Sequence, residues 1–78
     1  DYNAIKINRA QGMIAEGDFD GAVSLLRPIR EDKRCLNTLA TAYYRLGDKV
    51  TALDLFKQAA AMGDKVAIQN LENIENDY

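Results

Sequence analysis

Apolar residues recur along this chain at the spacing of α-helices. The third such segment shows the pattern of one helix face, with apolar positions at Leu36, Leu39, Ala40, Tyr43 and Leu46. No stretch alternates apolar and polar residues as a half-buried strand does. The pattern therefore predicts an all-α chain with helices over residues 3–16, 19–27, 33–46, 49–62 and 65–75.

Gly-Asp pairs separate most of these segments, at positions 17–18, 47–48 and 63–64. Glycine suits the left-handed backbone position that ends many helices. Aspartate suits the N-cap, where its carboxylate accepts hydrogen bonds from free backbone N–H groups. Each pair therefore predicts the end of one helix and the start of the next. Pro28 predicts the end of the second helix, because proline lacks the N–H that continues a helix.

A constant offset of 30 residues indicates an internal repeat. It relates a glycine pair, a small pair and a large apolar pair, which are Gly17 and Gly47, Ala22 and Ala52, and Leu26 and Phe56. Short joints favour antiparallel packing of neighbouring helices as hairpins. We predict one domain over residues 1–78, with a first hairpin at 3–30, a second at 33–62 and a capping helix at 65–76.

The second hairpin resembles a tetratricopeptide repeat over residues 34–62. The positions that carry this resemblance are Leu36, Leu39, Ala40, Tyr43, Gly47, Ala52 and Phe56. Residues 3–30 match less well, since Lys6 and Arg9 stand where the family has large apolar residues. The last part is similar to the related Sel-one-like repeat, on Ala59, Ala60, Gly63, Ala67, Asn70 and Leu71. Both resemblances imply a right-handed stack of antiparallel helical hairpins, an α-solenoid of about five helices.

Composition and charge exclude several classes of function. The formal net charge is −2, and acidic Glu31 and Asp32 interrupt the basic cluster of residues 27–34, so we expect no nucleic-acid partner. No apolar run approaches the length of a membrane span. The chain has no histidine and a single cysteine, Cys35, and it lacks phosphate-binding glycine motifs. We therefore expect no metal, no cofactor and no enzymatic activity.

The resemblance implies a binding site for a peptide or protein segment on a concave face. In the better repeat it places Asn37, Thr41, Tyr44 and Arg45 on that face, and by helical period they lie opposite Leu39, Tyr43 and Leu46. In the weaker repeat the matching positions are Ile7, Gln11 and Ile14. Asparagine and glutamine amides suit hydrogen bonding to a peptide backbone, and Arg45 suits a carboxylate. Ile7 stands where the family's carboxylate clamp has lysine, so a chaperone-tail receptor is not expected.

The main alternative is a structural role. Tyr2, Ile5 and Ile7 are apolar near the start, where a preceding hairpin of a longer chain or a second copy would pack. The fifth helix is polar at Gln69, Asn70, Glu72, Asn73 and Glu75, which suits a solvent-facing cap. The chain is then an assembly domain of a larger solenoid or a self-associating module.

Overall fold

A computed structural model describes residues 1–76 of the chain. The helices are α1 (Tyr2–Ala15), α2 (Phe19–Leu26), α3 (Lys33–Arg45), α4 (Lys49–Ala61) and α5 (Lys65–Asn76), with a 3-10 turn at Arg27–Ile29. No strand occurs in these residues, which confirms the all-α prediction. Within the same residues, none of the helices combines the length and the apolar content needed to cross a membrane.

The three Gly-Asp joints share one backbone geometry. Gly47 has φ of 92°, its N–H donates to the carbonyl of Tyr44 at 3.1 Å, and the Asp48 N–H donates to that of Tyr43 at 3.0 Å. These two bonds form a Schellman motif, which satisfies the last carbonyls of a helix. The Asp48 carboxylate then caps α4 by accepting from the Thr51 N–H at 3.1 Å. The other two joints repeat this arrangement, which confirms the predicted ends and starts.

The second helix ends at Leu26, one residue earlier than the sequence pattern predicts. Pro28 lies in the 3-10 turn that follows, where its missing N–H costs no α-helical bond. The backbone carbonyl of Ile29, the last residue of this turn, accepts two hydrogen bonds. The donors are the N–H of Asp32 at 2.9 Å and the thiol of Cys35 at 3.1 Å. The turn thus joins directly to the start of α3.

Helix α3 lies between two apolar clusters. Cluster 1 packs α1 and α2 against α3, and its buried residues are Ile7, Ala10, Ala22, Val23, Leu26, Cys35, Leu39 and Ala42. Cluster 2 packs α4 and α5 against α3, through Leu36, Ala40, Ala52, Phe56, Ala59, Ala67 and Ile74. Tyr43 packs against both clusters. The molecule is therefore a helical bundle in which α3 contacts α1, α2 and α4, while α5 packs on α4.

Two residues assigned to the apolar faces are instead open to solvent. Leu46 is 41% exposed and is the C-cap of α3, just past the last helical residue, Arg45. Ile68 is 40% exposed because α5 turns Ala67 and Ile74, and not Ile68, toward α4. These positions correct the predicted faces of the third and fifth helices.

A polar cluster ties the start of α3 to the start of α1. Asp32 is the N-cap of α3, and its carboxylate accepts from the Arg34 N–H at 3.0 Å and from Asn3 Nδ2 at 3.1 Å. The Arg34 guanidinium pairs with Asp32 at 2.6 Å and with Asp1 at 2.7 Å. Hydrogen bonds from the Arg34 side chain, with its backbone N–H, hold the pKa of the Asp32 carboxyl well below its usual range.

We expect the charge of Asp32 to stabilise the fold at neutral pH. A carboxyl whose pKa is lowered by folding stabilises the native state above its unfolded pKa of about 3.9, and this stabilisation is lost as the pH falls toward the folded pKa. Asp32→Asn keeps a competent N-cap and removes the charge. The melting temperature of wild type should be higher than that of Asp32→Asn at pH 7, and the difference between the two should shrink below about pH 4. A difference that does not change with pH would contradict this role.

Candidate binding groove

Two shallow depressions meet at Thr41 on the side of the bundle formed by α1, α3 and α5. The larger has a volume of about 230 Å³ and is lined by Thr41, Tyr44, Arg45, Phe56, Asn70, Asn73 and Ile74. The smaller has a volume of about 190 Å³ and is lined by Gln11, Ile14, Asn37, Thr38 and Thr41. We call the two together the α3 groove, because residues of α3 line both depressions.

Helical geometry explains why α3 supplies this line of side chains. Asn37, Thr41, Tyr44 and Arg45 are separated by intervals of four, three and one residues, so they share one face of the helix. Gln11 and Ile14 of α1 flank this face on one side. Asn70, Asn73 and Ile74 of α5 flank it on the other side. Six of the seven residues predicted for partner binding therefore line the two adjoining depressions of this groove.

Hydrogen bonds between helices hold the walls of the groove. The Asn70 amide Nδ2 donates to the Asn37 carbonyl oxygen Oδ1 at 3.0 Å, which ties α5 to α3. Gln11 Nε2 donates to Thr38 Oγ1 at 3.4 Å, which ties α1 to α3. Within α3, the Thr41 hydroxyl donates to the backbone carbonyl of Asn37 at 2.9 Å. The polar side chains of the groove thus fix its shape as well as lining it.

Ile7, the seventh residue predicted for partner binding, does not line the groove. It is 7% exposed and packs in cluster 1. One turn of α1 separates it from Gln11, which stays exposed. Ile7 therefore belongs to the core that α1 shares with α2 and α3, and it is not part of the α3 groove.

Tyr44 and Arg45 differ in how far they are available to a partner. Tyr44 is half-buried, packs against cluster 2, and has Lys49 Nζ at 5.8 Å from its ring centroid. Its ring is therefore a fixed wall rather than a free side chain. Arg45 is exposed at the mouth of the larger depression, and its guanidinium donates no hydrogen bond within residues 1–76. Arg45 is the better placed of the two to pair with a ligand.

The charge of the groove differs from that of the chain as a whole. Arg45 is the single charged residue among those that line the two depressions, and none of them is a carboxylate. The whole chain, by contrast, has 12 acidic and 10 basic residues. The rest of the lining consists of amides, hydroxyls and apolar side chains. This surface offers hydrogen bonds and one positive charge to whatever it contacts.

Residues of the groove that sequence reasoning missed come mainly from α4 and α5. Asn70, Asn73, Phe56 and Ile74 line the larger depression, and Thr38 lines the smaller one. The N-caps of α3 and α5 are 32 residues apart, at Asp32 and Asp64. The same offset from Thr41 reaches Asn73 and would have placed α5 beside the groove. The polar residues of α5 predict a solvent-facing cap from the sequence alone, and in the structure Asn70 and Asn73 line the groove.

Groups that commonly carry chemistry are sparse in the part of the chain that the structure describes. No group of three or more cysteine and carboxylate side chains is arranged to hold a metal ion there. The thiol of Cys35 is fully buried, and its pKa is raised first by burial and then by the Asp32 carboxylate. A raised pKa keeps the thiol protonated and unreactive at neutral pH.

Comparison with known proteins adds no relative to this description. A scan against models of protein families finds no match. Searches of curated proteins and of solved structures likewise find none.

Proposed function

We propose that this chain is a non-catalytic module that binds a peptide or a segment of another protein in the α3 groove. The observation that carries the proposal is the lining itself, a continuous row of amide, hydroxyl and apolar side chains without a carboxylate. Four helices, α1, α3, α4 and α5, contribute side chains to this surface. A bound segment would therefore contact parts of the chain that only folding brings together.

The size of the groove favours a segment over a small molecule. Small-molecule pockets typically measure about 300–1,000 Å³ and enclose most of their ligand. The two depressions measure about 230 and 190 Å³ and are open to solvent. Adjacent shallow depressions suit alternate side chains of an extended chain, because every second side chain points to the same face, about 6.6 Å further along. Each depression then takes one side chain while the backbone crosses Thr41.

The lining residues divide into polar and apolar roles. The amides of Gln11 and Asn73 supply donors and acceptors to a peptide backbone. Ile14 and the half-buried Tyr44 supply apolar contact for inserted side chains. Arg45 pairs with a carboxylate of the ligand, since a guanidinium and a carboxylate form strong, charge-assisted hydrogen bonds.

The finer architecture belongs to the same proposal. We infer a right-handed stack of helical hairpins of the tetratricopeptide type, which places the first helix of each hairpin along the concave face. The repeat supports this architecture, because positions 30 residues apart are buried alike. Ala22 and Ala52 are both 0% exposed, while Leu26 and Phe56 are 0% and 2% exposed. Contact between α1 and α3 also agrees with such a stack.

Selection from a random peptide library tests the binding proposal. We expect peptides selected on the wild-type chain to lose about tenfold in affinity for Arg45→Glu, because the reversed charge repels a carboxylate. Arg27→Glu is the matched control, since Arg27 is exposed and lies outside the groove. Calorimetry measures the affinity of the selected peptides for wild type, Arg45→Glu and the control Arg27→Glu.

Asn37→Ala gives a second, uncharged test of the same groove. It removes the acceptor of the Asn70 hydrogen bond and should weaken binding with no change in net charge. Selected peptides that bind Arg45→Glu and Asn37→Ala as tightly as wild type would contradict the groove assignment. A library that yields no peptide preferring wild type over Arg45→Glu would contradict it as well.

A further inference from the structure

The outward face of α1 carries a stripe of exposed residues that the bundle does not use. Ile5, Arg9, Gly12 and Glu16 follow one another at intervals of four, three and four residues, so they share one side of the helix. All four are exposed, and Ile5 is 67% exposed. Neither charged side chain forms an ion pair or a side-chain hydrogen bond within residues 1–76.

A second stripe runs along the outward face of α5. Lys65, Ile68, Glu72 and Glu75 follow at intervals of three, four and three residues, and all four are exposed. Ile68 is the apolar centre of this stripe, at 40% exposure. The charged members likewise form no ion pair within the described residues. None of these eight residues lines the α3 groove.

No contact within the bundle requires a glycine at position 12. An added Cβ there would meet no atom within 4 Å, and α1 continues unbroken through this position. Glycine inside a helix costs roughly 0.8–1.0 kcal/mol relative to alanine, and its benefit is the close approach of another backbone. The absence of a side chain at Gly12 therefore provides space for a neighbour outside this bundle.

The internal repeat shows what covers this kind of face. Position 35, which is 30 residues after Ile5, is Cys35, and position 42, which is 30 after Gly12, is Ala42. Both are 0% exposed because α1 and α2 pack over them in cluster 1. The equivalent face of α1, which carries Ile5 and Gly12, is open to solvent. In the repeat, helices cover the same face on α3.

The two stripes match each other when the helices run antiparallel. Arg9 then lies opposite Glu72, Gly12 opposite Ile68, and Glu16 opposite Lys65. Both charged pairs fit together because seven residues separate Arg9 from Glu16 and Lys65 from Glu72, about 10.5 Å of helix in each case. Ile68 enters the space that Gly12 leaves. The contact thus has two pairs of opposite charges, with the Ile68 side chain against Gly12 between them.

We propose that copies of this chain associate head to tail, with α1 of one copy packed antiparallel on α5 of the next. Such a contact joins two different surfaces, so it propagates into short chains or closes into a ring. One helix pair is smaller than a standard interface of about 1,600 Å², so the association is weak and depends on concentration. Its ion pairs are exposed, so salt weakens it.

Sedimentation velocity on the full chain from roughly 0.02 to 2 mM tests this association, a range suited to small interfaces. We expect the mean mass to rise with concentration and to fall when salt is raised from about 0.05 to 0.5 M. Arg9→Glu and Glu72→Arg should each weaken the association about fivefold. The double variant with both changes should regain it, because the opposite charges meet again. Lys57→Glu, on α4, is the charge-matched control.

A mixing experiment separates head-to-tail contact from a symmetric one. Gly12→Leu fills the gap on α1, and Ile68→Glu places a charge at the centre of the α5 stripe. Each variant should stay monomeric alone, while an equimolar mixture should form a heterodimer and nothing larger. Circular dichroism confirms that each variant folds.

Three outcomes would overturn the proposal. The first is a wild-type chain that remains monomeric over the whole concentration range. The second is an Ile68→Glu chain that associates as wild type does, since this would mean that α5 takes no part. The third is a charge-swapped double variant that fails to regain association, since this would exclude the pairing of Arg9 with Glu72.

Discussion

Leu39→Ala is expected to destabilise the fold more than a change at any exposed apolar position. Leu39 is 2% exposed and packs in cluster 1, on the helix that both halves of the bundle share. Truncating a buried leucine to alanine costs about 2–5 kcal/mol, from lost burial and the cavity that remains. A domain of this length is stable by only about 4–12 kcal/mol. Urea unfolding followed by circular dichroism measures the loss.

Leu46→Ala is the matched control for this prediction. It makes the same chemical change about two helical turns further along, at a residue that is 41% exposed. Changes at exposed positions usually stay within about 0.5 kcal/mol. Equal losses for the two variants would contradict the assignment of Leu39 to the core and of Leu46 to the surface.

Gly47→Val is expected to destabilise the fold by roughly 1–3 kcal/mol. Gly47 has φ of 92°, a backbone conformation that a β-branched residue adopts poorly. A Cβ at this position meets no atom within 4 Å, so the loss comes from the backbone and not from a clash. Disturbing this joint also disturbs the Schellman bonds to Tyr43 and Tyr44. The change in melting temperature measures the effect.

Gly12→Val is the control for the backbone argument. Gly12 is also free of neighbours within 4 Å, but it lies inside α1 without a positive φ. Valine has a better helix propensity than glycine, by a few tenths of a kcal/mol. In dilute solution this variant should therefore melt no lower than wild type. A loss similar to that of Gly47→Val would show that the positive φ is not the cause.

The buried hydroxyl at position 38 shows how tertiary contacts alter an amphipathic pattern. Thr38 is 7% exposed although it is polar. Its position in the sequence lies at the border between the apolar and the polar face of α3. Its hydroxyl accepts from the Gln11 amide, so its burial leaves no unpaired polar group. Helical periodicity gave no reason to bury it, because the partner lies on α1, 27 residues away.

The sequence by itself determined the helices and their joints. Each depends on local interactions: apolar spacing within a segment, and a glycine and an aspartate that end one helix and start the next. The N-caps at Asp18, Asp48 and Asp64 and the positive φ of the preceding glycines agree with that reasoning. Such features need no knowledge of neighbouring helices, because the bonds that satisfy them lie within a few residues.

Only the tertiary structure decided which helix faces are covered. Ile7 and Ile14 lie on similar sides of α1, yet Ile7 is buried while Ile14 lines the groove. The sequence predicts that Tyr44 faces outward, but its side chain is half-buried and packs against cluster 2. Periodicity orders the side chains around one helix axis but does not say where the next helix lies. Because packing sets that position, only the folded chain decides that Ile7 is covered while Ile14 lines the groove.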